Sequence, residues 1–142
     1  MRRIIIYILI AFLLVFFSIV IISLLNPLRR SDERIRANIL RLTPIGMSME
    51  DVISVVESRS DWEIRIIMDG GYVIHNDVPR GPHQGGNMIS GTQVGVTFME
   101  VHIGSYNFLV FILEERVSIF FGFDEDSNLL DIAVRRYPMD TF

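Results

Sequence analysis

An uninterrupted run without a charged side chain, from Ile4 to Leu25, constrains this chain more than any other feature. An α-helix rises about 1.5 Å per residue, so a helix over this run would be about 33 Å long. That length is enough to cross a hydrocarbon core of about 30 Å. The sequence therefore predicts an N-terminal transmembrane anchor over residues 1–26, in contact with the lipid bilayer through residues 4–25.

A cleaved signal peptide is the alternative, but its apolar core is shorter, roughly 7–15 residues, and ends at small side chains. Ser23-Leu24-Leu25 does not fit such a cleavage site. Arginines flank both ends of the run, so the positive-inside rule alone does not fix the orientation. A single N-terminal span most often places the following domain outside the cytoplasm. We therefore expect a single-pass cell-membrane protein with its N terminus inside and an extracytoplasmic C-terminal domain.

The chain after the anchor is long enough for one domain and is acidic. All 17 acidic residues but only 11 of the 13 basic ones follow position 26, so this part carries 11 − 17 = −6. Such a charge argues against a nucleic-acid partner. We expect a juxtamembrane linker at 27–34 and an α+β domain at 35–142.

Two short helices are expected at the start of this domain. Ile35, Ile39 and Leu42 recur at helical spacing, which predicts one amphipathic helix. Ser48 with Asp51 three residues later forms a capping-box start for the second. Both helices are expected to pack against a sheet.

From residue 62 onward apolar and polar residues alternate, which is typical of half-buried strands. Short connections imply antiparallel pairing of successive strands, with turns at Asp69-Gly70-Gly71, Gly104-Ser105-Tyr106 and Glu114-Glu115-Arg116. The prediction is an α+β fold with two helices on one face of an antiparallel sheet of about four to six strands and one Gly/Pro-rich loop at 76–92. The expected strands cover 62–67, 72–74, 94–103, 108–113, 117–123 and 129–134.

Three residues in or near that loop have the chemistry of metal ligands. His75, Asp77 and His83 supply imidazole and carboxylate groups, which suit zinc. Their spacing matches no established site, so they are weak candidates, and we predict neither a bound metal nor another cofactor.

A calcium loop is the second metal motif to consider. Asp124, Asp126 and Asn128 reproduce its 1-3-5 oxygen spacing. The sixth position is Leu129 instead of glycine and the twelfth is Arg135 instead of glutamate. We therefore expect a hairpin turn, in which Asp and Asn are common.

The composition removes several kinds of catalysis. The chain has no cysteine and no lysine, which excludes disulfides, thiolate ligands, cysteine nucleophiles and lysine Schiff bases. Ser90-Gly91-Thr92 and Gly104-Ser105-Tyr106 lack the strand-turn-helix setting of a nucleophile elbow. We expect this protein not to be an enzyme.

The segment Pro44-Ile45-Gly46-Met47-Ser48-Met49-Glu50-Asp51-Val52 resembles the signature turn of SmpA/OmlA-type envelope domains. Those domains, like the BamE lipoprotein and the β-lactamase-inhibitor-protein fold, place a helix pair ahead of an antiparallel sheet. The stretch from Phe121 to Ile132, with Gly104-Ser105-Tyr106, is similar to a group of small bacterial membrane-anchored proteins. SmpA/OmlA-type proteins usually carry a lipobox cysteine, which this chain lacks. The resemblance covers roughly residues 35 to 136 and implies a non-catalytic, extracytoplasmic protein-binding module.

The leading hypothesis is a binding module whose sheet face and glycine-rich loop contact another envelope protein. Aromatic and arginine side chains dominate binding energies at interfaces, and the candidate anchors of this kind are Trp62, Arg80, Tyr106 and Phe108. An inhibitor or immunity protein is the alternative among binding proteins, because an acidic surface suits a basic target. A metal-dependent sensor or enzyme that uses the three loop residues is the alternative from another class.

Overall fold

A computed structural model of the chain describes residues 2–81, 83–84, 87–88, 91–109 and 113–138, with side chains for 6–21, 25–81, 91–106 and 114–138. Within these residues the protein is α+β, with three α-helices ahead of antiparallel sheets of four and three strands. The helices are α1 (Arg2–Leu24), α2 (Asp32–Leu42) and α3 (Met49–Glu57), with a 3₁₀ turn at Pro27–Arg29. The strands are β1 (Glu63–Asp69), β2 (Tyr72–His75), β3 (Val78–Arg80), β4 (His83–Gln84), β5 (Asn87–Met88), β6 (Thr92–Val94), β7 (Thr97–Leu109), β8 (Leu113–Phe123) and β9 (Leu129–Pro138).

The first helix, α1, exposes large apolar side chains along its length, for example Phe12 and Leu14. The hydroxyl of Ser18 donates to the Leu14 carbonyl at 2.8 Å, so this polar group is satisfied within the helix. The side chains of α1 are described only from residue 6 to residue 21. Among the described residues, no helix is long and apolar enough to cross a membrane. The transmembrane span therefore stays a prediction.

The two amphipathic helices are confirmed. α2 buries Ile35 and Ile39, and α3 buries Val52 and Val56. The Ser48 hydroxyl accepts a hydrogen bond at 3.2 Å from the amide of the third residue of α3, which satisfies one of the unpaired donors at the start of this helix. Both helices pack on one face of the four-stranded sheet, as expected.

The four-stranded sheet has the order β1-β7-β8-β9, and all its neighbours are antiparallel. The central strands β7 and β8 supply most of the sheet residues buried beneath the helices. Side chains alternate between the faces of a strand, so each central strand also has residues on the opposite face. The buried sheet residues on the helix side are Met99, Val101, Ile103, Tyr106, Val117, Ile119, Phe121, Phe123, Leu129 and Ile132.

The opposite face of this sheet is partly covered by the three-stranded sheet, whose order is β3-β2-β6. Tyr72 of β2 meets Phe120 of β8 edge-on at 6.0 Å between ring centroids, and Phe98 of β7 stacks on Phe120 at 5.9 Å. All three side chains are buried. The domain is therefore layered as helices, a large sheet and a small sheet.

Successive strands do not pair at Asp69-Gly70-Gly71, so the prediction of a hairpin there was wrong. β1 pairs with β7, whereas β2 pairs with β3 and β6. Gly71 has a φ of +64°, and a Cβ there would lie 2.2 Å from the Gly95 carbonyl oxygen. Gly95 has a φ of +76° and divides the strand expected at 94–103. The glycines let the chain leave the large sheet after β1 and return to it after β6.

The predicted turns at Gly104-Ser105-Tyr106 and Glu114-Glu115-Arg116 were also wrong, because these residues lie inside β7 and β8. Gly104 has a φ of +130°, and the register of β7 against β8 shifts between His102 and Gly104. This glycine marks a β-bulge instead of a turn. The pairing continues to Leu109 and Leu113. Of the strand expected at 108–113, residues 110–112 lie outside the described residues.

The long loop expected at 76–92 contains strands in its described part, so that prediction was wrong as well. Asn76 and Asp77 have φ angles of 50° and 61° and form the two-residue connection of the β2–β3 hairpin. Positive φ at both positions matches a type I′ hairpin turn, in which Asn and Asp are favoured. Pro79 is accommodated because β3 lies at the edge of its sheet.

The hairpin turn between β8 and β9 is confirmed. The Asp124 carboxylate accepts hydrogen bonds from the amides of Asp126 at 3.0 Å and Asn128 at 2.7 Å. Ser127 adopts a φ of 61°. The carboxylate thus binds backbone amides, which explains the acidic spacing without a calcium ion.

Candidate binding surface

Five side chains occupy the part of the large sheet that lies on the small-sheet side, next to the Tyr72 cluster. Phe98, Phe120 and Ala133 lie on this face of the sheet. Side chains alternate along a strand, so residues at even spacings from these three lie on the same face, and several of them are polar. The register places His102 of β7 opposite Ser118 of β8, and Ser118 opposite Arg135 of β9. We call this group the outer strip, and its members are Glu100, His102, Ser118, Arg135 and Tyr137.

Direct contacts connect three members of the outer strip, Glu100, Arg135 and Tyr137. The Tyr137 hydroxyl donates to Glu100 Oε1 at 3.1 Å. The Arg135 guanidinium lies 4.1 Å from the centroid of the Tyr137 ring and donates to the Pro79 carbonyl oxygen at 3.1 Å. Burial, together with the Glu100 carboxylate, raises the pKa of Tyr137, so its hydroxyl remains a donor at neutral pH. The strip is therefore ordered and is tied to the small sheet through β3.

A carboxylate, an imidazole and a hydroxyl stand in one row across three strands. Glu63 is opposite His102, which is opposite Ser118. Ser118 is only 3% exposed, and the Glu63 carboxylate is paired with Arg65 at 3.3 Å. A nucleophile must reach its substrate and be oriented by its base and acid. The row does not provide this access, so its chemistry suits recognition better than nucleophilic attack.

Tyr106, one of the predicted anchors, lies on the helix side of the sheet and is 8% exposed. Its hydroxyl is hydrogen-bonded to the Glu115 carboxylate and to the Arg136 guanidinium. The guanidiniums of Arg29 and Arg136 lie 5.7 and 5.4 Å from its ring centroid. Burial is the main cause that raises the pKa of Tyr106, and the hydrogen bond to Glu115 raises it further. This side chain is held by neighbours within the chain.

The same arginine fixes the predicted linker to the sheet. Arg136 Nε donates to Asp32 Oδ1 at 2.7 Å, and its terminal nitrogens donate to the carbonyl oxygens of Leu28 at 3.1 Å and Arg30 at 2.6 Å. We call Arg136 with these three acceptors the linker clamp. Residues 28–32 are consequently docked against β7 and β9. Sequence reasoning missed this contact because its partners are more than 100 positions apart.

The other three predicted anchors lie in different places. Trp62 is half-buried at the edge of the helix-side core, with the Arg59 guanidinium 5.6 Å from its ring centroid. Arg80 ends β3, next to the Pro79 carbonyl that binds the outer strip. Phe108 lies in β7, but its side chain is outside the described residues. Of the three anchors whose side chains are described, Arg80 is the one next to the outer strip in the sequence of β3.

The candidate metal ligands lie in different structural settings. His75 ends β2, and Asp77 is an exposed turn residue. The His83 side chain lies outside the described residues. Among the side chains that the structure describes, no group of three His, Asp or Glu residues is placed to hold a metal ion.

Comparison with protein-family models, with curated proteins and with solved structures finds no match for this chain. The resemblance to SmpA/OmlA-type domains therefore stays a prediction. The features that bear on function are the fold, the outer strip and the N-terminal helix.

Proposed function

We propose that this protein is a single-pass membrane protein whose extracytoplasmic α+β domain is a non-catalytic module for binding another envelope protein. The observation that carries the proposal is α1, an apolar helix joined to a folded domain by a clamped linker. The N-in orientation and the likeness to SmpA/OmlA-type domains belong to the same proposal.

The uncharged sequence of α1 and its exposed apolar side chains support an anchor. The helix runs for 23 residues, which at about 1.5 Å per residue gives about 35 Å. Apart from Ser18, its described side chains are aliphatic or aromatic, with Tyr7 and Phe12 exposed by 69% and 73%. A helix that is apolar all round is stable when lipid or protein covers it. The uncharged run from Ile4 to Leu25 meets arginines at both ends, where they can reach headgroups.

The outer strip supports the second half of the proposal. It combines a tyrosine and an arginine, which are enriched among residues that dominate interface energies. Arg135 and Tyr137 are held against each other, so little side-chain entropy would be lost when a partner binds. Its neighbour β3 carries Arg80 at the border of the glycine-rich segment. A partner that covers the strip would therefore contact the sheet face and the flank of that segment together.

Site-specific photocrosslinking in cells tests this surface. A photoreactive amino acid replaces His102 on the outer strip of the full-length protein, and a matched one replaces Asn38, which is exposed on α2. We expect one crosslinked partner at position 102 and not at position 38, and we expect Arg135→Glu to abolish it. Identical patterns at both positions would contradict the outer strip as the binding surface.

Extraction of membranes tests the anchor separately. We expect the full-length protein to stay in the membrane pellet after an alkaline carbonate wash and to be released by detergent. Release by carbonate alone would contradict a spanning helix, because peripheral proteins are removed under those conditions.

An inhibitor or immunity protein is the second candidate, favoured by the charge of 11 − 17 = −6 after position 26. An acidic inhibitor that meets a basic target binds faster at low salt and loses affinity as salt rises. The dissociation constant for the crosslinked partner, measured across salt concentrations, distinguishes the two. A steep salt dependence favours the inhibitor, and a shallow one favours the envelope module.

A further inference from the structure

The two edge strands of the four-stranded sheet, β1 and β9, differ in their hydrogen bonding. At β9, side chains close the edge, since Arg36 Nε donates to the Ile132 carbonyl oxygen at 3.0 Å and Asp131 Oδ1 accepts from the Ile132 amide at 2.8 Å. At β1, no strand or side chain among the described residues hydrogen-bonds to the backbone on the side away from β7. An open edge of this kind is a row of unpaired donors and acceptors, to which another strand can add.

The second half of β1 also exposes apolar side chains along this open edge. Ile67 and Met68 are 46% and 39% exposed. Proteins usually protect an exposed edge with charged side chains or with a β-bulge. The irregularity in β1 lies earlier in the strand, where the register against β7 shifts between Ile64 and Ile66. The stretch from Ile66 to Met68 is therefore regular, apolar and open.

The sequence of this stretch is complementary to itself in the antiparallel direction. With Ile67 opposite its own copy, Ile66 would lie opposite Met68. Arg65 would then lie opposite Asp69, so each charge would meet its opposite, and this would occur twice. Cross-strand pairs of apolar side chains and of opposite charges stabilise a sheet. The Arg65 guanidinium can exchange its present ion pair, because that pair is largely exposed and contributes little.

Antiparallel pairing of two β1 strands would also keep both membrane anchors on one side. The two-fold axis of such a pair is perpendicular to the sheet, so the same faces of the two copies lie together. Helices α2 and α3 and the docked linker lie on one face of the large sheet. Both linkers would therefore lie on one face of the joined sheet, which allows both copies of α1 to enter the same membrane.

From these observations we propose that the open edge of β1, at residues 65–69, binds the same edge of a second copy of this chain and joins the two large sheets into one. A contact limited to one strand edge is small compared with the ~1,000 Å² that a stable interface between free proteins buries. Two copies anchored in one membrane meet at a high effective concentration, which makes a small contact sufficient. The inference therefore rests on the anchoring half of the proposed function. The dimer presents two outer strips on the face opposite the helices.

Disulfide trapping tests this contact, because the chain has no cysteine of its own. Cells that make the full-length protein with Ile67→Cys are broken, and copper phenanthroline is added before non-reducing electrophoresis. Leu130→Cys is the matched control, since Leu130 is also 46% exposed but lies in β9. A disulfide needs Cα atoms within about 7 Å, and opposite residues of an antiparallel pair are about 4.5–5.5 Å apart. We expect a covalent dimer through position 67 and none through position 130.

Two differently tagged chains made together test the register. Arg65→Cys in one chain should crosslink with Asp69→Cys in the other. Neither should crosslink with its own copy, because the two copies of residue 65 would be about 13 Å apart along the strands. In the Ile67→Cys chain, Arg65→Asp should weaken the dimer about tenfold, since two pairs change from attraction to repulsion. The further substitution Asp69→Arg should restore it.

Equal crosslinking through positions 67 and 130, or no dimer through position 67, overturns the β1 contact. Crosslinking of position 65 with its own copy as efficiently as with position 69 overturns the proposed pairing as well. A carbonate wash of membranes from the same cells reports on the anchor separately. Retention in the pellet without a dimer overturns the β1 contact and leaves the anchor intact, whereas release overturns the anchor itself. Circular dichroism of each purified variant confirms that the substitution preserves the fold.

Discussion

Replacement of Arg136 by methionine should detach the linker from the sheet. Methionine keeps much of the apolar stem but removes the hydrogen bonds to Asp32, Leu28, Arg30 and the Tyr106 hydroxyl. A hydrogen bond from a charged group contributes about 1.5–3 kcal/mol. The Arg136 side chain is 23% exposed and the freed carbonyls can reach water, so we expect a loss of about 2–3 kcal/mol instead of the sum of four bonds.

Chemical denaturation of the full-length protein in detergent micelles measures this loss, and hydrogen exchange locates it. Amides between residues 28 and 36 should lose protection in Arg136→Met, whereas those of β8 should not. Arg136→Lys should fall between wild type and Arg136→Met, because an ammonium keeps the charge without the planar fork. Arg65→Met removes a largely exposed pair with Glu63 and should cost at most about 0.5 kcal/mol. Equal losses for the methionine variants at 136 and 65 would refute the linker clamp.

Three further predictions concern the core and the layer crossing. Gly95→Ala should lower the free energy of unfolding by about 2 kcal/mol or more, because its Cβ would lie 2.5 Å from the Phe123 carbonyl oxygen. Gly46→Ala is the control, since Gly46 has a similar φ but open space around it, and should cost only about 1 kcal/mol. Urea unfolding measures both losses. The Tyr72 hydroxyl is buried with no hydrogen-bond partner among the described residues, so Tyr72→Phe should raise the free energy of unfolding by about 1 kcal/mol. Tyr137→Phe should lower the free energy of unfolding by a similar amount, because it removes the hydrogen bond to Glu100. Burial raises the pKa of Tyr72 and Tyr137 above the unfolded value of about 10. The folded state should therefore lose stability as pH rises above about 10, because these phenols ionise more readily in the unfolded chain. A phenolate absorbance titration should show their ionisation coincident with unfolding, and titration of these phenols in the folded protein near pH 10 would contradict this.

Local signals in the sequence were sufficient for the helices and for the last hairpin. The Ser48 cap and the spacing of Ile35 and Ile39 depend on residues within one or two turns of helix. The Asp124 turn closes over four residues through its own carboxylate. Such interactions depend only on residues that are close together in the sequence, so they could be predicted from it.

The role of each glycine was ambiguous in the sequence, because glycine is common in turns, in β-bulges and where the chain passes from one sheet to another. Gly104 was expected in a turn and forms a bulge, while Gly71 and Gly95 carry the chain between two sheets. What decides between these outcomes is the pairing of distant strands. The sequence pattern showed that strands were present and left their partners open.

The candidate surface was predicted only in outline. A sheet face was expected to bind, and the outer strip lies on such a face, but its members Arg135 and Tyr137 were not among the predicted anchors. Tyr106 was predicted to be an anchor as an aromatic residue, but it is buried and hydrogen-bonded to Arg136, 30 positions away. Exposure of an aromatic side chain is set by tertiary contacts, which residue type alone does not reveal.

We propose that α1 holds the folded domain on the outer side of a membrane, and cysteine labelling in cells tests this directly. Ser127, exposed in the β8–β9 turn, is replaced by cysteine in the otherwise cysteine-free full-length chain. Intact cells are then treated with a membrane-impermeant maleimide before the membranes are isolated. We expect a labelled protein in the membrane fraction without prior lysis. Labelling only after lysis, or a labelled protein in the soluble fraction, would contradict it.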